Sequence, residues 1–422
     1  MRVGVFGNFG LGNLGNESTF QAILYHVRHV VPDAEVTCIC TAPEVVAAVY
    51  NISAVPITGI VVRPWAFRNS VARLVRKLFV GIPSELYRWL RCFVTLRQAD
   101  MLVIAGTGLL SDAYGVTRDD GPYSVFKWSV VAKLCGCKLL FVSVGAGPLY
   151  GRLGRFFVKS ALALADFRSY RDTASRQCLM RIGFQRKNDR VSPDLVFSLP
   201  NAAIPHQPIT DRKRTVVGLG VMEYAGRYSV DQPITATYQR YLDCLVNFAT
   251  WLLAHDYSVR LLVGDTCDEA VAQELRCLLK GRLDCDPARV IHEPAASVED
   301  LLSQLAATDL VVATRFHNVL LALLLNKPAI SISFHPKCAS LMSQLGLSQY
   351  CQDINELHSD RLIECFQELE KNAEQVKAQI KMRVAEFRAR LDEQYAVIFG
   401  KRDGCEATSQ QIYNECPAAG RD

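Results

Sequence analysis

The residues best suited to chemistry stand at Thr314-Arg315-Phe316-His317-Asn318, directly after the apolar run Leu310–Ala313 and at the opening of a helical pattern. Arginine presents a planar fork that matches a carboxylate or a phosphate. Histidine exchanges a proton near neutral pH. Two residues apart in a loop at a strand end, Arg315 and His317 would face one ligand. Two other cationic turns could join them: Arg171-Asp172 after Phe167–Tyr170, and Pro336-Lys337 after Ser331–Phe334. Plainer readings stand beside these. Arg315 and His317 could be polar groups at a capped helix start, and Arg171 could pair locally with Asp172 or Asp194.

Four glycine-bearing turns follow apolar runs. They are the loop Gly7–Asn13 with Gly10, Gly12 and Asn13, then Gly106-Thr107-Gly108, Gly145-Ala146-Gly147-Pro148 and Val263-Gly264-Asp265. Glycine lets backbone N–H groups approach an anion, and a following helix N-terminus adds positive potential. Gly10-Leu11-Gly12-Asn13-Leu14-Gly15 spells a dinucleotide fingerprint, but no acid lies at the matching distance in a clear second strand. Tight turns at a cleft rim are therefore the expected role, carried by Gly10, Gly12, Asn13, Gly106, Gly108, Gly145 and Gly147.

Short apolar strands alternating with helical patterns must position these turns. Val3–Phe6, Glu35–Cys40, Met101–Ala105, Lys138–Val144 and Phe167–Tyr170 read as strands of one parallel sheet. Pro200, Pro205, Pro208 and the run Asp211–Arg214 read as a linker. A second alternating series runs from Thr215 to Ser333, and Ser359–Leu391 reads as a charged amphipathic helix or helix pair. The expected fold is α/β: two Rossmann-like parallel-sheet domains in a glycosyltransferase-B-like arrangement, closed by a C-terminal helix. The expected domains are 1–205 on the acceptor side, 206–358 on the donor side, a helical segment 359–400 and a disordered tail 401–422.

Composition excludes several classes. Half of the 422 residues are hydrophobic, which is enough for two cores and too many for a disordered chain. No apolar run approaches the roughly 18 residues of a membrane span, and no signal-peptide pattern opens the sequence, so a cytoplasmic protein is expected. The net charge of +5 suits an anionic ligand or membrane surface, and nothing resembles a nucleic-acid-binding motif. The 15 cysteines form no Cys-x-x-Cys, so buried free thiols are expected and no metal site. Cys38/Cys40 and Cys135/Cys137 sit in strand-like runs. Residues 63–97 interleave eight basic residues with Trp65, Phe67, Phe79, Trp89 and Phe93. This segment could contact the inner face of a membrane, or be an amphipathic pair whose apolar face packs on the sheet.

Taken in order from Val3 to about Leu347, these segments resemble the polysaccharide pyruvyl transferase family. Val5–Glu17 is similar to its opening glycine-asparagine series, Leu102–Leu110 to its strand and glycine turn, and Val144–Leu149 to its Gly-x-Gly-Pro turn. Ser169–Ser175 is similar to its Arg-Asp-x-x-Ser segment, Ser192-Pro193-Asp194 to its Pro-Asp step, and Asp309–His317 with Pro328 and Lys337 to its Arg-x-His and Pro-Lys series. Asn16 replaces the usual acid, Thr107 a glycine, and Phe334-His335 the aromatic before Pro-Lys. The resemblance implies a pyruvyl group moved from phosphoenolpyruvate onto a sugar hydroxyl pair as a ketal, in exopolysaccharide, capsule or cell-wall glycan synthesis. Arg315, Arg171 and Lys337 would then bind the donor and His317 would be the acid. Phosphoenolpyruvate would be a co-substrate, with no other cofactor, and the acceptor could be lipid-linked or not. The alternatives are a nucleotide-sugar glycosyltransferase of the same shape and a non-catalytic binding protein.

Overall fold

The computed structural model describes residues 1–59, 77–117, 120–205, 214–224, 234–281 and 287–400. Residues 63–76 of the basic aromatic segment, 206–213 of the expected linker and the tail 401–422 lie outside them. The chain divides into two compact units. Among the described residues, the first holds Met1–Leu11, Ile23–Asp194 and those from Val397 on; the second holds Gly12–Ala22 and Leu195–Ala396. The expected domain division stood at 205/206.

The first unit is built on seven strands: β1 (Arg2–Phe6), β2 (Glu35–Cys40), β3 (Ser53–Pro56), β4 (Met101–Ala105), β5 (Lys138–Val144), β6 (Phe167–Tyr170) and β7 (Arg190–Val191). Every pairing is parallel and the order is β3-β2-β1-β4-β5-β6-β7. The order reverses direction between β1 and β4. At such a point the loops at the strand C-termini diverge and leave room for a ligand. β4 is buried at every residue because helices cover both faces, which is why it reads as an unbroken apolar run.

The connecting helices are α1 (Leu14–Val30), α2 (Pro43–Tyr50), α3 (Ile82–Leu96), α4 (Pro122–Leu134), α5 (Arg152–Leu164) and α6 (Thr173–Arg181). Right-handed crossovers place α3 to α6 on one face of the sheet. An aromatic series ties this layer together. Trp89 Nε1 donates to Tyr123 Oη (3.2 Å), and the Tyr123 and Phe157 rings meet edge-on with centroids 5.2 Å apart. Glu85 of α3 holds the buried Lys127 of α4, with Lys127 Nζ donating to Oε1 (3.1 Å).

The second unit has six parallel strands: β8 (Val216–Gly220), β9 (Ser258–Leu262), β10 (Val290–His292), β11 (Leu310–Ala313), β12 (Ala329–Ser333) and β13 (Cys351–Asp353). The order β10-β9-β8-β11-β12-β13 reverses between β8 and β11. Its helices are α7 (Ile234–Ala254), α8 (Glu269–Lys280), α9 (Val298–Ala306), α10 (Phe316–Leu324), α11 (Pro336–Gln344), α12 (Ser359–Lys371) and α13 (Ala373–Phe399). The C-terminal segment is thus a helix pair broken at Asn372. Phe387 of α13 meets Phe197 edge-on with centroids 5.0 Å apart, and Tyr395 Oη lies 3.1 Å from Ser198 Oγ.

Helix α10 opens at Phe316, inside the Thr314–Asn318 motif, so His317 lies in its first turn. One local expectation needs correction. Cys135 closes α4 and Cys137 precedes β5, so this pair is not in a strand, whereas Cys38 and Cys40 are in β2. The twelve described cysteines are free. Among the described residues no helix is long and apolar enough to cross a membrane.

Candidate active site

Arg315 stands at the end of β11, beside β8, where the strand order of the second unit reverses. It occupies the N-cap position of α10 in an extended conformation, without using its side chain as a cap. The side chain turns instead to the loop after β9. Its Nε donates to Asp268 Oδ2 (2.6 Å) and its Nη2 to Asp268 Oδ1 (2.6 Å), a two-pronged contact along one edge of the guanidinium. Nη1 lies 3.7 Å from Asp265 Oδ2, and Nη2 lies 3.1 Å from Cys267 Sγ.

Asp268 is fully buried, whereas 22% of the Arg315 side chain remains exposed. Burial by itself disfavours the charged guanidinium. The Asp268 contact and the Asp265 charge outweigh burial and hold Arg315 above its ordinary range, so it stays a cation. Burial also pushes the Asp268 carboxyl up, against the pull of Arg315. Glu223 N donates to Asp268 Oδ1 (2.8 Å) and helps to fix it. The cluster is stiffened from below by Tyr241, whose hydroxyl accepts from Met222 N (3.1 Å) and lies 2.9 Å from Thr314 Oγ1. One phenol therefore joins the chain after β8 to the chain after β11.

The loop Gly12–Gly15 completes this site within the second unit. Asn13 Nδ2 donates to Asp265 Oδ2 (2.6 Å), Leu14 N donates to Gly264 O (3.0 Å), and Thr266 N donates to Gly12 O (3.2 Å). His317 lies on the other side, its ring against the backbone of Gly15. A β-carbon on Gly15 would overlap the imidazole, so only glycine admits the ring there. The segments that open and close the sequence motifs thus converge on one place.

Lys337 comes next. Its ammonium lies 5.2 Å from the ring centroid of Phe316 and 5.1 Å from that of Phe334, a cation held between two aromatic faces. Phe316 sits between Arg315 and His317 in the chain, so Lys337 packs on the residue that separates them. His335 accepts from Lys337 N at Nδ1 (3.2 Å), which caps α11 and leaves that nitrogen without a proton.

Arg171 belongs to the first unit. It is nearly buried at the end of β6, with Nε 3.4 Å from Asp172 Oδ2 and Nη1 3.6 Å from Asp194 Oδ2. Its guanidinium lies against Gly145, where a β-carbon would come within 2.7 Å of Nη2. The local ion pair is thus the arrangement present. Gly10, Gly106, Gly108, Gly145 and Gly147 also belong to the first unit, Gly106 and Gly108 after β4 and the last two after β5; Gly12 and Asn13 belong to the second. Asp265 and Asp268, the partners of Arg315, were not anticipated. Their signal was a second acid three residues beyond the Val263-Gly264-Asp265 turn.

The sequence profile of polysaccharide pyruvyl transferases matches residues 13–336, from Asn13 of the docked loop to Pro336 beside Lys337. The chain belongs to the polysaccharide pyruvyl transferase family. As a member of that family it is a transferase of polysaccharide biosynthesis with a sugar acceptor. The amylovoran biosynthesis protein AmsJ of Erwinia amylovora is 20% identical over 421 residues, covering 92% of this chain and 96% of AmsJ. Among solved structures, HepE of Anabaena in complex with UDP superposes with a TM-score of 0.58 at 12% identity, covering 95% of this chain and 97% of HepE. A glycosyltransferase of Rickettsia africae gives 0.56 at 10% identity, covering 94% and 98%. At such identities the likeness is one of fold, and it bears out the glycosyltransferase-B-like class of two parallel-sheet domains expected for this pyruvyl transferase family member.

Proposed function

We propose that this chain moves a pyruvyl group from phosphoenolpyruvate to two hydroxyls of a sugar, forming a cyclic ketal in an exopolysaccharide, capsule or cell-wall glycan. The observation that carries the reading is the Arg315–Asp268 pair at the reversal of the second sheet, with His317 two residues on and Lys337 beside Phe316. Asp268 holds the Nε–Nη2 edge of the guanidinium and Asp265 stands 3.7 Å from Nη1, so the donor would meet Arg315 at the part of its side chain that stays exposed. Since Asp265 and Asp268 offset the charge of Arg315, Lys337 supplies the additional cation that a donor with a carboxylate and a phosphate needs.

His317 protonates C3 of the enol, and positive charge develops at C2. A sugar hydroxyl attacks C2 and its proton passes to the imidazole that has just lost one. The C2–O bond to phosphate then breaks, phosphate leaves with the bonding pair, and the second hydroxyl adds to C2, its proton going to the departing phosphate as the ring closes. Acid catalysis of this kind contributes typically about a hundredfold to ten-thousandfold in rate. The buried, doubly paired Arg171 has no part in this scheme. Phosphoenolpyruvate is the only co-substrate, and no further cofactor enters. The relative named for amylovoran biosynthesis supports an exopolysaccharide setting for the acceptor.

The test is incubation with labelled phosphoenolpyruvate and a panel of lipid-linked and nucleotide-linked sugars. An acid-labile pyruvate ketal in the mass spectrum, with release of phosphate, is expected. Transfer of a sugar from a nucleotide donor, with no use of phosphoenolpyruvate, would replace the reading by a glycosyltransferase.

A further inference from the structure

The helical layer α3–α6 of the first unit turns apolar side chains outward. Amphipathic helices usually bury their apolar stripe. In α3 only Cys92 and Leu96 are buried. Leu86 (65%), Leu90 (58%), Phe93 (45%) and Val94 (54%) are exposed on it, and Phe79 just before it is 76% exposed. Positions 86, 90, 93 and 94 follow the three-and-four spacing of one helix face. This stripe therefore does not pack on the sheet. In the same layer, Leu153 (65%) and Phe156 (57%) are exposed on α5.

Cations accompany the apolar groups. A cavity of about 510 Å³ opens between α5 and the chain after α6, lined by Arg152, Arg155, Lys159 and Arg186 together with Phe156. Arg152, Arg155 and Lys159 recur at helical spacing, so they point to one side of α5. Among the described residues no carboxylate forms an ion pair with any of the four, whereas in the same unit Arg168 pairs with Asp189 and Lys133 with Asp166. Four uncompensated cations around one concavity create a site for phosphate groups. An exposed apolar stripe on the same layer fits the hydrocarbon boundary of a bilayer.

We propose that the outer face of α3–α6 docks on an anionic lipid bilayer, with the α3 stripe entering the interface and the cavity of Arg152, Arg155, Lys159 and Arg186 receiving lipid phosphates. Charge selects this occupant: a second copy of the chain would bring the same four cations, and a neutral protein surface would leave them unmatched. The surface goes beyond the donor chemistry and does not depend on it, since it is read by binding alone.

The test is co-sedimentation of the full chain with vesicles of equal parts phosphatidylcholine and phosphatidylglycerol, and with vesicles of phosphatidylcholine alone. Binding to the mixed vesicles is expected to be at least about tenfold tighter than to the neutral ones, and to weaken as salt rises. Arg152→Ser/Lys159→Ser is expected to weaken it roughly tenfold or more. The triple variant Leu86→Ser/Leu90→Ser/Phe93→Ser should weaken it by a similar factor while its circular dichroism and unfolding midpoint stay near those of the parent. Absent binding, equal binding to both vesicles, or the charge variant binding like the parent would overturn the proposal. So would a dimer in analytical ultracentrifugation that the triple variant dissolves, because the stripe would then be an interface between copies. A triple variant that loses stability in a parent that ignores vesicles would mean the chain covers its own stripe, and would overturn it too.

Discussion

The imidazole of His317 rests against the backbone of Gly15, in the space where any other residue would carry a β-carbon. The two residues come from opposite ends of the matched region, and their contact explains a glycine that no turn requires. Gly15→Ala should therefore displace the ring. Overpacking of this kind costs about 1–3 kcal/mol, and turnover should fall with stability. In a His317→Ala background the same substitution should cost less than about 0.5 kcal/mol, because the competing ring is gone. Denaturation midpoints of the four proteins measure this coupling; additive costs would mean that Gly15 serves the loop and not the histidine.

Arg315 is tied to a carboxylate without solvent access, and this changes what its removal reports. Arg315→Ala leaves Asp268 buried and unpaired, at a cost of about 3–5 kcal/mol in stability. The fairer comparison is Arg315→Ala/Asp268→Ala, which removes both charges. It should recover most of the stability and still fail to bind phosphoenolpyruvate by calorimetry. Donor affinity surviving in the double variant would remove Arg315 from the donor site. Arg315→Lys should bind poorly as well, since a lysine cannot hold Asp268 along one edge and present a second edge to a ligand.

Cys267 stands next to Arg315, a place where a reactive thiolate would be suspected. Burial, partly countered by the Arg315 charge, pushes its thiol up to about 12. At neutral pH it should be almost wholly protonated and a poor nucleophile. Alkylation by iodoacetamide should thus be slow at pH 7 and rise with pH through the alkaline range. Cys267→Ala should keep turnover within severalfold of the parent. Fast alkylation at neutral pH coupled to loss of activity would point to covalent chemistry at this thiol.

In the first unit, Glu85 is the partner of the buried Lys127. Its own burial raises its pKa, but the Tyr123 hydrogen bond and the Lys127 charge win, and the carboxyl sits below its ordinary 4.5. A carboxyl lowered in the folded state contributes stability above its unfolded pKa and loses it as pH falls through the folded value. Glu85→Gln should cost roughly 3 kcal/mol at neutral pH by leaving Lys127 without its carboxylate. The gap between parent and variant midpoints should close on acidification below pH 4.5. A gap that persists in acid would assign the effect to packing.

Much of this fold is legible in the sequence because parallel strands buried on both faces read as short apolar runs, as Met101–Ala105 and Leu310–Ala313 do. β3 escapes because Ser53–Pro56 is a four-residue edge strand that is only partly buried. α4 escapes for the opposite reason: most of Pro122–Leu134 is buried all round, so no amphipathic period marks it. At the site, Arg315, His317 and Lys337 stand out by residue type and by following strands. Their partners do not. Asp268 and Gly15 are ordinary residues locally and gain meaning only when the chain brings them to the guanidinium and the imidazole. The outward stripe of α3 was legible as amphipathic, while which way it faced required the packed layer.

The proton transfer from His317 is the step that the account depends on most. Single-turnover rates at saturating phosphoenolpyruvate, followed across pH for the parent and for His317→Asn, measure it directly. In the parent the rate should fall as pH rises through the imidazole pKa of the complex, because the charged form donates the proton. The variant should bind the donor within a few fold of the parent, lose about a hundredfold or more in rate, and lack that alkaline limb. A variant with a near-normal saturated rate and weakened donor binding would contradict the account, placing His317 in donor recognition and leaving the acid elsewhere.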